Sequence, residues 1–426
     1  MDRKLKVTFS NASVIAFFLF LTKNCLYLLD TSAINIMGKL NYADFWLGLF
    51  IIYAGYIFFT YTDTKEGEPL FKYNIIAVVV ICLLAAFQAH RLFGQSMSWG
   101  IRPQRFFVVI ILSYFALRKI FVEELLDIDT MQRVIINFAI IEAVMSIIQQ
   151  VFYKYIVFMY CMTDYRYGSI RLYLSGSVIT LAMFFALERL INKIDIGKNV
   201  FIICAGVVYL LVVSKGRLTT VATISALVGG FMLMKGVSAR KFLYAIILVL
   251  CLFGFSRTQM YKNLTDVIRI ENGEITGDTM DIRNDGRNYY LNKVSENPIL
   301  GKGYPNELNR RATTASGYYD NLMLNDNGIF GILYVYGYLG LFVFMLLFIR
   351  LAWLGWQIYR HSNVYFTLMY LILIAIQAIN VASWYWQYDG VLIFVLVICM
   401  TEAIYINTVE NDEHKQRKHF RIVLKR

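Results

Sequence analysis

Apolar runs of membrane-crossing length recur along the whole chain, near residues 10–29, 44–61, 74–90, 104–118, 134–158, 171–188, 199–214, 218–234, 241–256, 329–349, 363–383 and 388–407. A helical crossing takes about 20 apolar residues, so twelve crossings use roughly 240 positions, a little over half of the 426 residues. The composition agrees. The chain is 58% hydrophobic and 16% charged, whereas a soluble domain carries about 25% charged residues. Mean hydropathy is +0.55, and only 4 prolines interrupt the helices. The expected fold class is an all-α polytopic membrane protein of about twelve transmembrane helices. A soluble enzyme, a nucleic-acid-binding domain and an outer-membrane barrel are poor fits.

The formal net charge of +12 informs orientation first, because Lys and Arg in short connectors mark the cytoplasmic side. With the amino terminus inside, the cytoplasmic pieces 1–9, 62–73, 117–133, 188–198, 235–241, 350–362 and 408–426 hold 22 Lys plus Arg. The short external connectors hold 9. The long segment 257–327 carries another 9, but loops beyond about 60 residues are exempt from the rule. Both termini are therefore expected in the cytoplasm. The MDRKLK start followed by an apolar run could open a signal peptide. No A-x-A-like cleavage site follows and Lys23-Asn24 interrupts the run, so an uncleaved first span is expected.

The organisation is uneven: helices 1–9 over residues 1–256, one large external loop over 257–327, helices 10–12 over 328–407, and a basic cytoplasmic tail over 408–426. No internal repeat and no pair of equal halves is visible, unlike many secondary transporters. The six cysteines show no metal-ligand spacing and read as small buried hydrophobes. The four histidines form no cluster. No metal or cofactor is expected.

Ser214-Lys215-Gly216-Arg217 is a short external turn with two cations at a helix start. The open N–H groups and positive dipole end of that helix point to the same place, which suits phosphate, and Arg forks bidentately onto phosphate oxygens. A pair of interface cations with apolar stems is the other account. Arg171 stands at the external mouth of the sixth run, either for an anionic substrate or as ordinary loop variation. Within the large loop, Arg287, Tyr290, Leu291 and Val294 share one helical face, with Arg287 at its start. Pro298, Gly301 and Gly303 then end that helix. Asp320, Asn321 and Asp326 precede the tenth run, where acids cap helices well or orient a sugar hydroxyl. Glu142 lies mid-run, as a functional group or as a partner in one interhelical hydrogen bond.

Three stretches, SKGRLTTVATISALV, RNDGRNYYLNKVSENPILGKGYPNE and NDNGIFGILYVYGYLG, resemble in this order the O-antigen polymerase and O-antigen ligase superfamily of membrane glycosyltransferases. The similarity covers residues 214 to 343 and the plan of about twelve spans with one large external loop. It implies a GT-C-like helical fold and a Wzy-type polysaccharide polymerase of the bacterial inner membrane. Such an enzyme transfers a growing glycan from undecaprenyl diphosphate to the next lipid-linked repeat, in O-antigen, capsule or exopolysaccharide synthesis. The partners implied are the lipid-linked oligosaccharide as donor and acceptor, the membrane lipid, and a separate chain-length regulator. The motif match gives Arg217 and Arg287 the diphosphate; Arg171, Lys215, Arg283 and Lys302 are expected beside them as further binding groups. Asp326 or Asp320 would orient the acceptor hydroxyl, beside Asn321. Ligases of this superfamily resemble one another in a His-Asn pair before this last span entry. No His lies in 257–327, which favours a polymerase over a ligase. The rival from another class is a flippase for lipid-linked oligosaccharides.

Overall fold

The computed structural model describes residues 3–31, 35–36, 40–61, 68–166, 169–235, 270–271, 274–275, 279–318 and 322–410. The expected ninth span, Asp320, Asn321 and most of the basic tail lie outside these residues. Long apolar segments bury their backbone polar groups most economically as helices, and helices occupy the positions of the other eleven apolar runs. They are α1 (Arg3–Thr22), α2 (Tyr42–Thr60), α3 (Lys72–Phe93), α4 (Arg105–Leu112), α5 (Tyr114–Val122), α6 (Ile128–Phe152), α7 (Ser177–Ile191), α8 (Ile196–Val208) and α9 (Arg217–Leu233). The second part holds α10 (Thr279–Ser295), α11 (Gly328–His361), α12 (Phe366–Gln377) and α13 (Tyr388–Tyr405). A π-helical turn, Tyr209–Ser214, continues α8.

Among the described residues, six helical stretches are long and apolar enough to cross a bilayer, and three shorter apolar helices accompany them. Side chains such as Ile52, Phe59, Val80, Val151, Phe342 and Trp353 stand exposed on these helices. Apolar faces of that extent suit lipid rather than water. The protein is thus an all-α, multi-pass membrane protein.

Helix α13 is apolar on every side, which marks a helix buried all round. Its span is 89% buried, and it packs against α5, α11, α4, α7 and α1. It forms the axis of the bundle. The fourth apolar run is not one straight helix: α4 and α5 meet at Ser113. The expected sixth span begins later than its apolar run. Residues 163–166 and 169–172 instead form the two antiparallel strands of a hairpin, with Asp164 opposite Arg171.

The segment after α10 docks through its backbone. Helix α11 is broken at Gly337, where φ is +65°. The break frees carbonyls and N–H groups that a membrane cannot solvate. The chain 298–303 takes them up: Lys302 and Gly303 N–H donate to the Tyr334 and Val335 carbonyls at 2.7 and 3.0 Å, while Tyr338 and Leu339 N–H donate to the Pro298 and Ile299 carbonyls. Gly301 has φ +66°, and a Cβ there would come within 2.6 Å of the Gly337 nitrogen and the Tyr334 oxygen. The glycines read from sequence as helix breakers therefore also permit this close approach. Tyr290 and Val294 of α10 are buried, as their spacing predicts, but Leu291 faces outward at 40% exposure. The helix starts at Thr279 rather than near Arg287.

Candidate functional site

One end of the bundle encloses a cavity of about 890 Å³. The carboxyl ends of α1, of the π turn after α8 and of α12 border it, together with the amino ends of α7, α9 and α13. The sequence topology assigns this side to the exterior. Arg171, Arg217 and Arg283 all line the cavity, from the hairpin, from the start of α9 and from α10. Asp326 lines it as well, exposed, in the short 3-10 turn Leu324–Asn327.

The turn at 214–217 is stitched to the hairpin. Arg171 Nε donates to the Ser214 carbonyl at 2.7 Å, and its guanidinium lies 4.2 Å from the centre of the Tyr173 ring. A cation at a helix carboxyl end also meets the favourable end of the dipole. Lys215 turns the chain with φ +48°. Its Nζ donates to the Ile170 carbonyl at 2.6 Å. Burial, and then the Arg171 guanidinium, push its ammonium below the usual lysine range. Lys215 does not line the cavity; it shapes the turn that presents Arg217. Gly216 gives α9 no side-chain cap, so the helix amino end stays available beside Arg217.

Two further predicted cations are committed elsewhere. Arg287, one turn from Arg283, donates to Asn380 Oδ1 and, at 3.2 Å, to Asn284 Oδ1. It lies over the Phe330 ring and ties α10 to the turn after α12. Its buried Nε has no hydrogen-bond partner. Arg287 is thus beside the cavity but not in its wall. Lys302 pairs with Glu296 and also stands outside the wall. Lys302, Lys293 and their hydrogen bonds hold the Glu296 carboxyl below its usual value. Gln377 lines the cavity and accepts a hydrogen bond from Ser383 Oγ at 3.0 Å.

The wall also contains residues that the sequence did not single out: Asp389, Gln387, Ser175, Asp164 and the aromatic side chains Tyr27, Tyr173, Trp386 and Tyr388. Asp389 Oδ2 accepts from Ser175 Oγ at 2.6 Å and lies 3.2 Å from Lys23 Nζ. Lys23 in turn holds Glu142 Oε1 at 2.6 Å and donates to the Ser175 carbonyl. Glu142, read as a single interhelical hydrogen bond or a functional group, is therefore half of a fully buried ion pair. A signal for Asp389 did exist: it is the only charged residue between Ser362 and Thr401. Its place at a helix start makes it look like a cap.

Among the described residues, no three His, Cys, Asp or Glu side chains gather in a metal-ligand group. The arrangement can bind an anion through guanidinium groups beside hydroxyl, amide and aromatic surfaces suited to a sugar. No protein-family model matches the chain, and no curated protein matches its sequence.

Proposed function

We propose that the protein is a membrane glycosyltransferase that polymerises lipid-linked polysaccharide repeats on the external face of a bacterial inner membrane. In this reading it crosses that membrane about twelve times in a GT-C-like arrangement, with both termini in the cytoplasm. The growing glycan moves from undecaprenyl diphosphate to the next lipid-linked repeat. One observation carries the proposal: Arg171, Arg217 and Arg283 reach a single cavity from three separate elements. Three guanidinium groups suit a diphosphate, whose oxygens accept bidentate hydrogen bonds. Charge grows on the leaving diphosphate as the glycosidic bond breaks, so these contacts strengthen in the transition state. The aromatic and amide wall beside them suits sugar rings. The cavity lies at one end of the bundle, whereas a carrier site sits near the bilayer midplane.

Arg217→Ala tests the proposal in cells that depend on this protein for polymer. Removing one such charge-stabilising donor costs about 10²–10³-fold in rate, so long polymer should vanish while single lipid-linked repeats accumulate. Electrophoresis of the extracted polysaccharide reads the result. A wild-type chain-length distribution from that variant contradicts the reading.

A further inference from the structure

Three acids line the cavity, Asp164, Asp326 and Asp389. Asp164 and Asp326 are exposed, and Asp389 is buried at 3% exposure. A general base must be held at a fixed place within reach of the substrate hydroxyl, which a buried side chain lining a cavity satisfies better than an exposed one. Asp389 is also the most firmly aimed of the three. Ser175 Oγ and Lys23 Nζ both hold Oδ2, and the first turn of α13 fixes the backbone. Oδ1 makes no hydrogen bond among the described residues. Lys23 does not neutralise the group outright, because it lies nearer Glu142, at 2.6 Å against 3.2 Å. One ammonium thus serves two carboxylates. The titratable groups facing Asp389 are Lys23 after α1, Glu142 on α6, Tyr27, Tyr209 on the π turn and Tyr370 on α12. Ser175, Ser177 and Gln387 lie beside it, with Ser175 Oγ 3.2 Å from Gln387 Oε1. Hydroxyl and amide groups of this kind bind sugar hydroxyls.

Resting on the polymerase reading, we propose that Asp389 is the catalytic base and that the Asp389–Ser175–Gln387 corner is the acceptor-sugar subsite. The acceptor hydroxyl docks on Asp389 Oδ1. Its oxygen forms the new bond to the anomeric carbon of the donor, and its proton passes to Asp389. The bond from that carbon to the diphosphate oxygen breaks, and the electron pair leaves with undecaprenyl diphosphate on the arginine side.

The test uses the full-length protein in lipid nanodiscs. The donor and acceptor are the lipid-linked repeat extracted from producing cells that lack this protein. Binding is measured separately with undecaprenyl diphosphate alone. Asp389→Asn should lower the transfer rate by about 10²–10⁴-fold and leave undecaprenyl diphosphate affinity within about twofold. The wild type should lose kcat/KM at acid pH as the base is protonated, and the variant should lack that limb. Asp389→Glu should recover part of the rate. If Asp389→Asn does not fold, Ser175→Ala takes its place: loss of a hydrogen bond to the charged form moves the acid limb to higher pH. An Asp389→Asn rate within about fivefold of wild type, or an unmoved acid limb in Ser175→Ala, overturns the assignment and leaves the polymerase reading standing. A wild type that elongates nothing removes both.

Discussion

The central helix α13 carries a carboxylate near each end, and the bundle treats the two differently. At one end Glu402 is fully enclosed. It accepts from Arg118 Nε, from Tyr114 Oη at 2.6 Å and from the Leu70 N–H at 3.0 Å. Nearby, Arg189 pairs with Asp129 and Asp195, while Glu188 accepts from the Tyr365 and Phe366 N–H groups. Guanidinium and carboxylate are matched there. At the other end Asp389 is held through one oxygen only and borders a cavity that three arginines also line. Matched charges glue helices together. Charges that line a cavity can add contacts to a ligand there.

The largest effect that could break this contrast is on stability. Removing one partner of a buried ion pair costs about 3–5 kcal/mol, so Arg118→Met should unfold well below wild type in a thermal melt of detergent-solubilised protein. The double variant Arg118→Met/Glu402→Gln should regain most of the loss, because no bare charge is left buried. Arg217→Ala, at a partly buried side chain that borders the cavity, should cost much less than Arg118→Met. If Arg217→Ala is as destabilising as Arg118→Met, the open end is structural and the contrast fails.

A smaller effect concerns the docking of segment 298–303 on the broken helix α11. Ala at position 301 would adopt a positive φ and press its Cβ on backbone. Such a strained residue costs about 1–3 kcal/mol. Gly301→Ala should therefore lower the melting temperature. A variant that melts as wild type would show that the docking is not tight.

The smallest is at Glu296, half-exposed between Lys293 and Lys302. Its carboxyl titrates below the ordinary value of 4.5, so the pair stabilises the folded state above about pH 4.5 and is lost as pH falls through the lower folded value. Exposed pairs are screened and contribute at most about 1 kcal/mol. Glu296→Gln should shift the melt slightly at neutral pH and not at all well below pH 4. A large shift would mean that the pair contributes more than an exposed, screened pair can.

Much of this was legible locally. Apolar runs placed the helices, and Gly301 with Gly303 marked the turn. The cation-bearing turn at 214–217 and Arg171 and Arg283 were read as binding groups, and all but Lys215 reach the cavity. Arg287, which the motif match places at the diphosphate, and Lys302, expected beside it, donate to Asn380 and Glu296 outside the cavity wall. Spacing shows which residues share a helix face, but not which neighbour that face meets.

The sequence alone determined that the chain forms apolar helices, which stretches they occupy, and which connectors carry cations. Those properties follow from hydrophobicity and backbone chemistry within a few turns of chain. Only the tertiary structure decided that Lys23 meets Glu142, 119 positions away, and that Ser175 meets Asp389, 214 positions away. Pairings of that kind depend on how whole helices pack, and the packing of α13 at the axis is what brings its first acid to the cavity.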